Sequence, residues 1–341
     1  MRSELHYGER VFSCHELRAS SVYNLLADAV SRNADGIALV CDEVRMTYAA
    51  LDAEVKNVAA GLAASGIEPG DRISILLGNG APFVVLTYAA AYLGAVTVPL
   101  NTRDQIPGIR HALQNSGAKV LVVESEFHNL VPPTEDTPDL IARFAIGATE
   151  GFNNYEELRK AARPVQLAHP KEDAVATILY TSGTTGVPKG AMLTGLGIVH
   201  SATNFVETMR LDQTDTTIVV VPMTHVTGLV AGIHTLIHCA GTIVVLREFK
   251  AAKFLEAAAE NRMTYSLMVP AMYNLCLHQA DLRDFDLAEW RIGGYGGAPM
   301  PAATIERLAN ALPNLGLMNA YGATETTSPA TIMPADQTAA R

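Results

Sequence analysis

The sequence predicts an α/β protein of mainly parallel sheets flanked by helices, and three observations carry that prediction. Short, near-continuous apolar runs alternate with helix-length stretches along the chain, as expected for strands covered on both faces by crossover helices. Two long segments without Asp, Glu, Lys or Arg, residues 73–102 and 216–246, are interrupted by glycine and proline. Of the 341 residues, 49% are hydrophobic and 18% charged, a balance that suits extensive buried sheet and a core large enough for more than one lobe.

The elements follow in order. In the first uncharged segment, Gly78-Asn79-Gly80 and Pro82 separate a strand at 73–77 from a helix at 83–93, and Gly94 precedes a strand at 95–99. A helix at 108–116 leads into a β-rich run at 120–123. The stretch 132–139 and the looser region 162–173 read as loops. An apolar run at 174–179 enters a glycine-rich loop. In the second uncharged segment, Pro222 and Gly228 separate a strand at 218–221 from a helical stretch, and Gly241 precedes a strand at 243–246. A helix at 251–261, a strand at 265–269, a helix at 301–311 and a strand at 315–318 complete the alternation. Each uncharged segment is long enough to cross a bilayer, but the internal breakers make both of them strand–helix–strand units rather than membrane spans.

The net charge of −10, with no basic stripe, excludes a nucleic-acid surface. Cys14, Cys41, Cys239 and Cys276 are widely separated, without a C-x-x-C pair or a histidine at metal-ligand spacing, and are expected to be thiols in a reducing compartment. The first ten residues hold no continuous apolar segment, which adds to the expectation of a cytoplasmic protein.

The most informative stretch is Tyr180-Thr-Ser-Gly-Thr-Thr-Gly-Val-Pro-Lys189-Gly190. Its small residues let backbone N–H groups turn toward phosphate oxygens, its hydroxyls add donors, and its lysine adds a positive charge. Gly186 is followed by Val-Pro-Lys rather than Lys-[Ser/Thr], so this is not a Walker A loop, and a kinase or GTPase is disfavoured. Downstream, the segment Gly293-Gly-Tyr-Gly-Gly-Ala-Pro-Met-Pro301 joins a strand to a helix and leaves room for a flat ring against the backbone. The segment Asn319-Ala-Tyr321-Gly-Ala-Thr324-Glu325 places an aromatic face, a hydroxyl and a carboxylate within five residues. One such carboxylate suffices for Mg²⁺ on a nucleotide, whose phosphates and waters complete the octahedron. His225 follows a strand and Pro222, at the edge where open α/β sheets bind ligands. His234 and His238 lie four apart with no third ligand in view, and read as packing residues.

These motifs, in this order, resemble the adenylate-forming superfamily of acyl-CoA synthetases, luciferases and peptide-synthetase adenylation domains. The wording is most similar to AMP-forming acyl-CoA synthetases, and the resemblance also takes in Gly70-Asp-Arg-Ile-Ser-Ile-Leu76 and residues 91–103. It implies that Thr181, Ser182, Gly183, Thr184, Thr185, Gly186 and Lys189 handle the β- and γ-phosphates of ATP. It further implies that Gly297, Ala298 and Pro299 form the adenine-side segment with Tyr321 beside the base, and that Asn319, Ala320 and Gly322 belong to the nucleotide-binding set. By the same resemblance Thr324 contacts the α-phosphate, Glu325 holds Mg²⁺, and His225 lies near the carboxylate and acyl pocket. The implied catalytic set is His225, Thr324, Glu325 and Lys189.

The implied reaction has two halves. A carboxylate attacks the α-phosphorus of ATP, giving acyl-AMP and pyrophosphate; the thiolate of coenzyme A then displaces AMP. A protein meets that chemistry by positioning anions and offsetting phosphate charge. Members of the superfamily continue into a C-terminal domain, and the positions matching the ribose-binding aspartate, the hinge and the adenylation lysine would lie past Arg341. The chain is therefore expected to be the nucleotide- and acid-binding part, weak in turnover alone. Leu193-Thr194 is followed by Gly195 where the family commonly has histidine. The expected division is one lobe at 70–205 carrying the phosphate loop and a second at 1–69 plus 206–341 carrying the adenine and acyl sites. Val226, Gly228, Met268, Met272 and residues 294–296 are candidates for an apolar acyl pocket. The alternatives are an amino-acid adenylation domain, which needs an acidic residue that residues 221–228 do not offer, and a non-catalytic nucleotide- or acyl-binding module.

Overall fold

The computed structural model describes residues 1–160, 164–181 and 186–335. It divides into two compact units, Met1–Val30 with Ala49–His200, and Ser31–Tyr48 with Ser201–Arg341. The chain opens with a hairpin, β1 (Arg2–His6) and β2 (Arg10–Cys14), followed by α1 (Val22–Asn33), a second hairpin, β3 (Ile37–Cys41) and β4 (Val44–Thr47), and α2 (Tyr48–Ala64). This division differs from the expected one, because only the β3–β4 segment of the first 69 residues joins the second unit. There β3 pairs in parallel with a later strand, Leu39 opposite Ile243 and Cys41 opposite Val245. The N-terminal hairpin belongs to the first unit, where Arg18 bridges Glu4 and Glu172 and the Tyr7 N–H donates to Asp173 at 2.9 Å.

The first unit continues with β5 (Arg72–Leu76), α3 (Ala81–Tyr92), β6 (Val96–Pro99), α4 (Ile106–Ser116), β7 (Ala118–Glu124), β8 (Ala142–Ile146), β9 (Asn153–Asn154), α5 (Glu156–Arg159), β10 (Val175–Thr181) and β11 (Lys189–Thr194). Its seven-stranded sheet runs β11-β10-β6-β5-β7-β8-β9, parallel except for the β10–β11 pair. Leu76, Val98, Ile109, Leu113, Leu121 and Val123 form one of its apolar clusters. Helix α3 is buried around nearly its whole circumference, which explains why its sequence carries no polar stripe. Gly117, at φ +60, ends α4 with its N–H on the Gln114 carbonyl, a left-handed cap that costs glycine little. The strand-like segments at 73–77, 95–99 and 120–123 are present as β5, β6 and β7. The hairpin β1–β2 and strand β8 were not legible in the sequence.

The second unit holds α6 (Gly195–Met209) from Ser201 onward, β12 (Thr216–Val219), a π-helical segment (Thr227–His234), α7 (Thr235–Cys239), β13 (Thr242–Val245), α8 (Ala251–Glu260), β14 (Tyr265–Met268), α9 (Pro270–Gln279), β15 (Ile292–Tyr295), α10 (Ala302–Ala311), β16 (Gly316–Tyr321) and β17 (Thr331–Met333). The sheet order is β17-β16-β15-β14-β12-β13-β3-β4, parallel from β16 to β3 with an antiparallel strand at each edge. Trp290 anchors the core, stacked on Tyr273 and edge-on to Phe254, with its indole N–H on the Ile292 carbonyl at 3.0 Å. Met268 and Met272 belong to this core, and Gly294 is buried where a Cβ would meet Leu267 at 2.9 Å. None of the four cysteines forms a disulfide. No helix among the described residues is long and apolar enough to cross a membrane.

Two buried polar groups of this unit carry predictions about stability. The Asp215 carboxylate, 1% exposed, accepts from the Arg291 guanidinium at 2.7 Å and from the Asp212 N–H at 2.8 Å. The Thr264 hydroxyl donates to the same carboxylate, so Asp215→Ala removes the acceptor of three donors and is expected to lower unfolding free energy by about 2–3 kcal/mol in urea titrations. His234 is fully buried, and burial depresses its imidazole to about 3. Between that value and the ordinary 6.5, the unfolded chain takes up a proton that the folded chain refuses. Stability should therefore fall as pH drops through this window, by at most about 1.4 kcal/mol per pH unit from this group. His234→Asn should flatten the slope in urea titrations across the same range.

Candidate functional site

The parallel strands of the second unit end along one edge, and the sequence motifs follow directly from their C-terminal ends. Register sets this edge, with Met268 opposite Tyr295 and Tyr295 opposite Asn319. Gly296 and Gly297 continue from β15, and Gly322 through Glu325 continue from β16. The loop after β15 lies tightly against the end of β16, since a Cβ on Gly296 would lie 2.4 Å from the Ala320 carbonyl oxygen. Glycine is therefore required at 296 for contact, and at Gly297 for a φ of +77. Gly297, Ala298 and Pro299 are exposed, and α10 begins at Ala302, one residue inside the predicted span, with Pro301 at its N-cap.

The β16 loop is held rigidly. Strand β17 pairs Tyr321 with Thr331, and the Ala330 N–H donates to the Tyr321 carbonyl at 2.8 Å. The Thr326 hydroxyl accepts from the Ala323 N–H at 3.1 Å and donates to the Ala323 carbonyl at 2.9 Å, closing the turn that carries Thr324 and Glu325. Thr327, a β-branched residue, sits at φ +59, an unfavourable conformation of the kind that recurs beside binding sites. On this frame Tyr321 presents its ring, 68% exposed, and Glu325 is exposed as well. Asn319 is half-buried beside Tyr295, whose hydroxyl pKa burial raises and a hydrogen bond with Asn319 partly lowers. Ala320 is buried. Of the predicted nucleotide-binding residues on this strand and loop, Tyr321 and Gly322 are exposed, Asn319 is half-buried and Ala320 is buried.

His225 is exposed beyond β12, two strands from β15 and three from β16, or roughly 10 and 14 Å at ordinary strand spacing. Its N–H bonds the Pro222 carbonyl at 3.1 Å and its carbonyl accepts from Leu229 at 2.9 Å, opening the π-helical segment. Gly228 packs against Pro222, where a Cβ would fall 2.4 Å from the carbonyl oxygen. A π-helical turn of this kind marks functional positions more often than chance. His234 is buried, and His238 faces the Thr203 hydroxyl at 3.2 Å, in keeping with packing roles.

In the first unit, Thr181 and Lys189 face each other across the base of the β10–β11 hairpin. Ser182, Gly183, Thr184 and Thr185 lie outside the described residues. Gly186 has a φ of +82, and Lys189 is exposed. Helix α4 supports the base of this hairpin through contacts that sequence reasoning missed. The His111 Nε2 lies 2.9 Å from the Pro188 carbonyl, and the Tyr180 hydroxyl donates to the Asn115 side chain at 2.8 Å. The partners are 77 and 65 positions apart, and no local pattern signals such pairs.

A second cluster lies in the N-terminal hairpin, where Glu4, His6 and Cys14 each offer a ligand atom within 4.8 Å of the others. Both Glu4 oxygens accept from Arg18, at 2.8 and 2.6 Å, and one also accepts from Arg2 at 2.6 Å. These guanidinium bonds hold the Glu4 carboxyl far below the usual range, and burial pushes the Cys14 thiol up. A charge-compensated carboxylate beside a neutral thiol makes a structural tie rather than a seat for a cation.

Mainly parallel sheets with ligand-type loops at their C-terminal edge are features of the doubly wound α/β class. Residues 26–341 match the family model described as AMP-binding enzyme, and the chain belongs to that family. It is 32% identical over 294 residues to the long-chain-fatty-acid–CoA ligase FadD13 of Mycobacterium tuberculosis, covering 85% of this chain and 57% of that protein. It is 33% identical over 281 residues to a feruloyl-CoA synthase of an Amycolatopsis species, covering 82% of this chain and 54% of that one. The inhibitor-bound N-terminal domain of FACL13 from Mycobacterium tuberculosis aligns with a TM-score of 0.83 at 29% identity, over 94% of this chain and 80% of that domain. The chain thus spans little more than half the length of these two curated relatives.

Proposed function

We propose that this chain supplies the nucleotide- and acid-binding part of an AMP-forming acyl-CoA ligase. The observation that carries the reading is the contact of Gly296 with Ala320, which sets the backbone after β15 against the end of β16, beside the exposed Tyr321 ring. A flat purine can lie there against backbone and ring with little steric opposition. Thr324 is assigned the α-phosphate, and within the first unit Thr181 and Lys189 are assigned the β- and γ-phosphates. The Glu325 carboxylate, exposed on a turn fixed by Thr326, fits the single protein ligand that a nucleotide-bound Mg²⁺ requires. When bound, Mg²⁺ would offset phosphate charge.

The chemistry is an acyl transfer in two steps. An oxygen of the substrate carboxylate forms a bond to the α-phosphorus as the bond to the β-phosphate oxygen breaks, releasing pyrophosphate. The thiolate of coenzyme A then adds to the acyl carbon, and AMP leaves with the bonding pair. In this reading Lys189 stabilises charge on the departing phosphates, and His225 is assigned a role beside the substrate carboxylate. The names of the relatives suggest an aliphatic or an aryl acid. Cysteines without disulfides fit a reducing cytoplasmic setting.

Calorimetric titration tests the reading directly. The chain should bind Mg-ATP and AMP, with AMP displacing ATP competitively. Binding of ATP that AMP fails to displace would overturn the assignment of a shared adenine site.

A further inference from the structure

We infer that His111 is a positioning residue for the phosphate-handling hairpin, acting through the Pro188 carbonyl to fix the backbone that carries Lys189. The inference rests on the functional reading above but assigns a residue that lies outside the motifs. Strand β11 is at the edge of its sheet, paired only with β10, so Lys189 begins a strand with support on one side. A lysine that stabilises developing phosphate charge does so efficiently only when its backbone is already in place. Helix α4 supplies this support. His111 and Asn115, one turn apart on the helix, grip the two arms of the hairpin. The His111 Nε2 donates to Pro188 on the outgoing arm at 2.9 Å, and the Tyr180 hydroxyl of the incoming arm donates to Asn115 at 2.8 Å and to the Ala112 carbonyl at 3.2 Å. Because the acceptor is a carbonyl, Nε2 carries the proton.

The remaining contacts fit a clamp. The His111 ring stands edge-on to Tyr180, with centroids 6.0 Å apart and planes at 82°. Gly190 lies beneath the tyrosine, and a Cβ there would come within 2.8 Å of Ile178 and 3.3 Å of the Tyr180 ring. Pro188 has no N–H of its own to contribute to the ladder, so at this residue only the carbonyl can anchor the backbone. His111 provides its partner immediately before Lys189.

The experiment compares the wild-type chain with His111→Ala and His111→Gln, titrating each with Mg-ATP and with AMP and recording each melting temperature. His111→Ala should weaken Mg-ATP binding roughly tenfold, the equivalent of one lost positioning hydrogen bond, and leave AMP binding unchanged. His111→Gln, whose amide N–H₂ can reach the same carbonyl, should restore most of the ATP affinity. A purely structural role predicts something else: a lowered melting temperature with equal losses for ATP and AMP, or no change in either affinity. Either result would overturn the inference while leaving the functional reading intact. A wild-type chain that binds neither nucleotide would overturn both.

Discussion

The substitution Gly296→Ala is expected to lower stability by about 1–3 kcal/mol and to weaken binding of both AMP and Mg-ATP by more than roughly tenfold. The added Cβ would stand 2.4 Å from the Ala320 carbonyl oxygen, about 1 Å closer than a weak C–H···O contact allows. That oxygen belongs to the backbone of β16, which is pinned on one side by β15 and on the other by β17, where Ala320 faces Ile332. No side chain can rotate to relieve the overlap, so β15 and β16 must separate at their C-terminal ends. Their separation shifts the exposed Tyr321 ring away from the Gly297 backbone, and any ligand seated on both loses one wall. Chemical denaturation and calorimetry check the two effects separately. If Gly296→Ala binds AMP as tightly as the wild type, the glycine edge is not the adenine seat.

The sequence revealed the parts of this protein that local chemistry dictates. Strands β5, β6, β7, β12, β13 and β14 are apolar runs bounded by glycine, proline or polar turns, and buried parallel strands have no other way to read. Gly296 and Gly297 were legible because their backbone demands, close approach and positive φ, restrict the residue type itself. Association over long distances left no such mark. The pairing of β3 with β13 joins residues about two hundred positions apart, so the division into units could not be read from composition. The hairpin β1–β2 was missed because Leu5 and Val11 are both 67% exposed, and without a buried face it shows no inside–outside alternation. Met268 and Met272 were pocket candidates on an apolar stripe that reads more often as core, and they are members of the buried cluster that holds Trp290 and Tyr273.

Glu325→Gln is expected to separate charge from shape at the metal position. Glutamine keeps the length of the side chain and its capacity to accept hydrogen bonds, but removes the negative charge that a hard dication selects. The site is exposed, and its turn is held by Thr326 and by the pairing of Tyr321 with Thr331, so the melting temperature should stay close to that of the wild type. Binding of ATP in the presence of Mg²⁺ should weaken by roughly tenfold to a hundredfold, whereas AMP measured without Mg²⁺ should bind as before. The combination matters, because general damage to the β16 loop would reduce both ligands together and would resemble Gly296→Ala. Titrating ATP across a series of Mg²⁺ concentrations makes the distinction sharp: the wild-type affinity should rise with Mg²⁺ and that of Glu325→Gln should stay nearly flat. A variant that keeps the full Mg²⁺ response would show that the dication is held by the nucleotide phosphates and water alone, leaving Glu325 to act through charge on the turn or not at all.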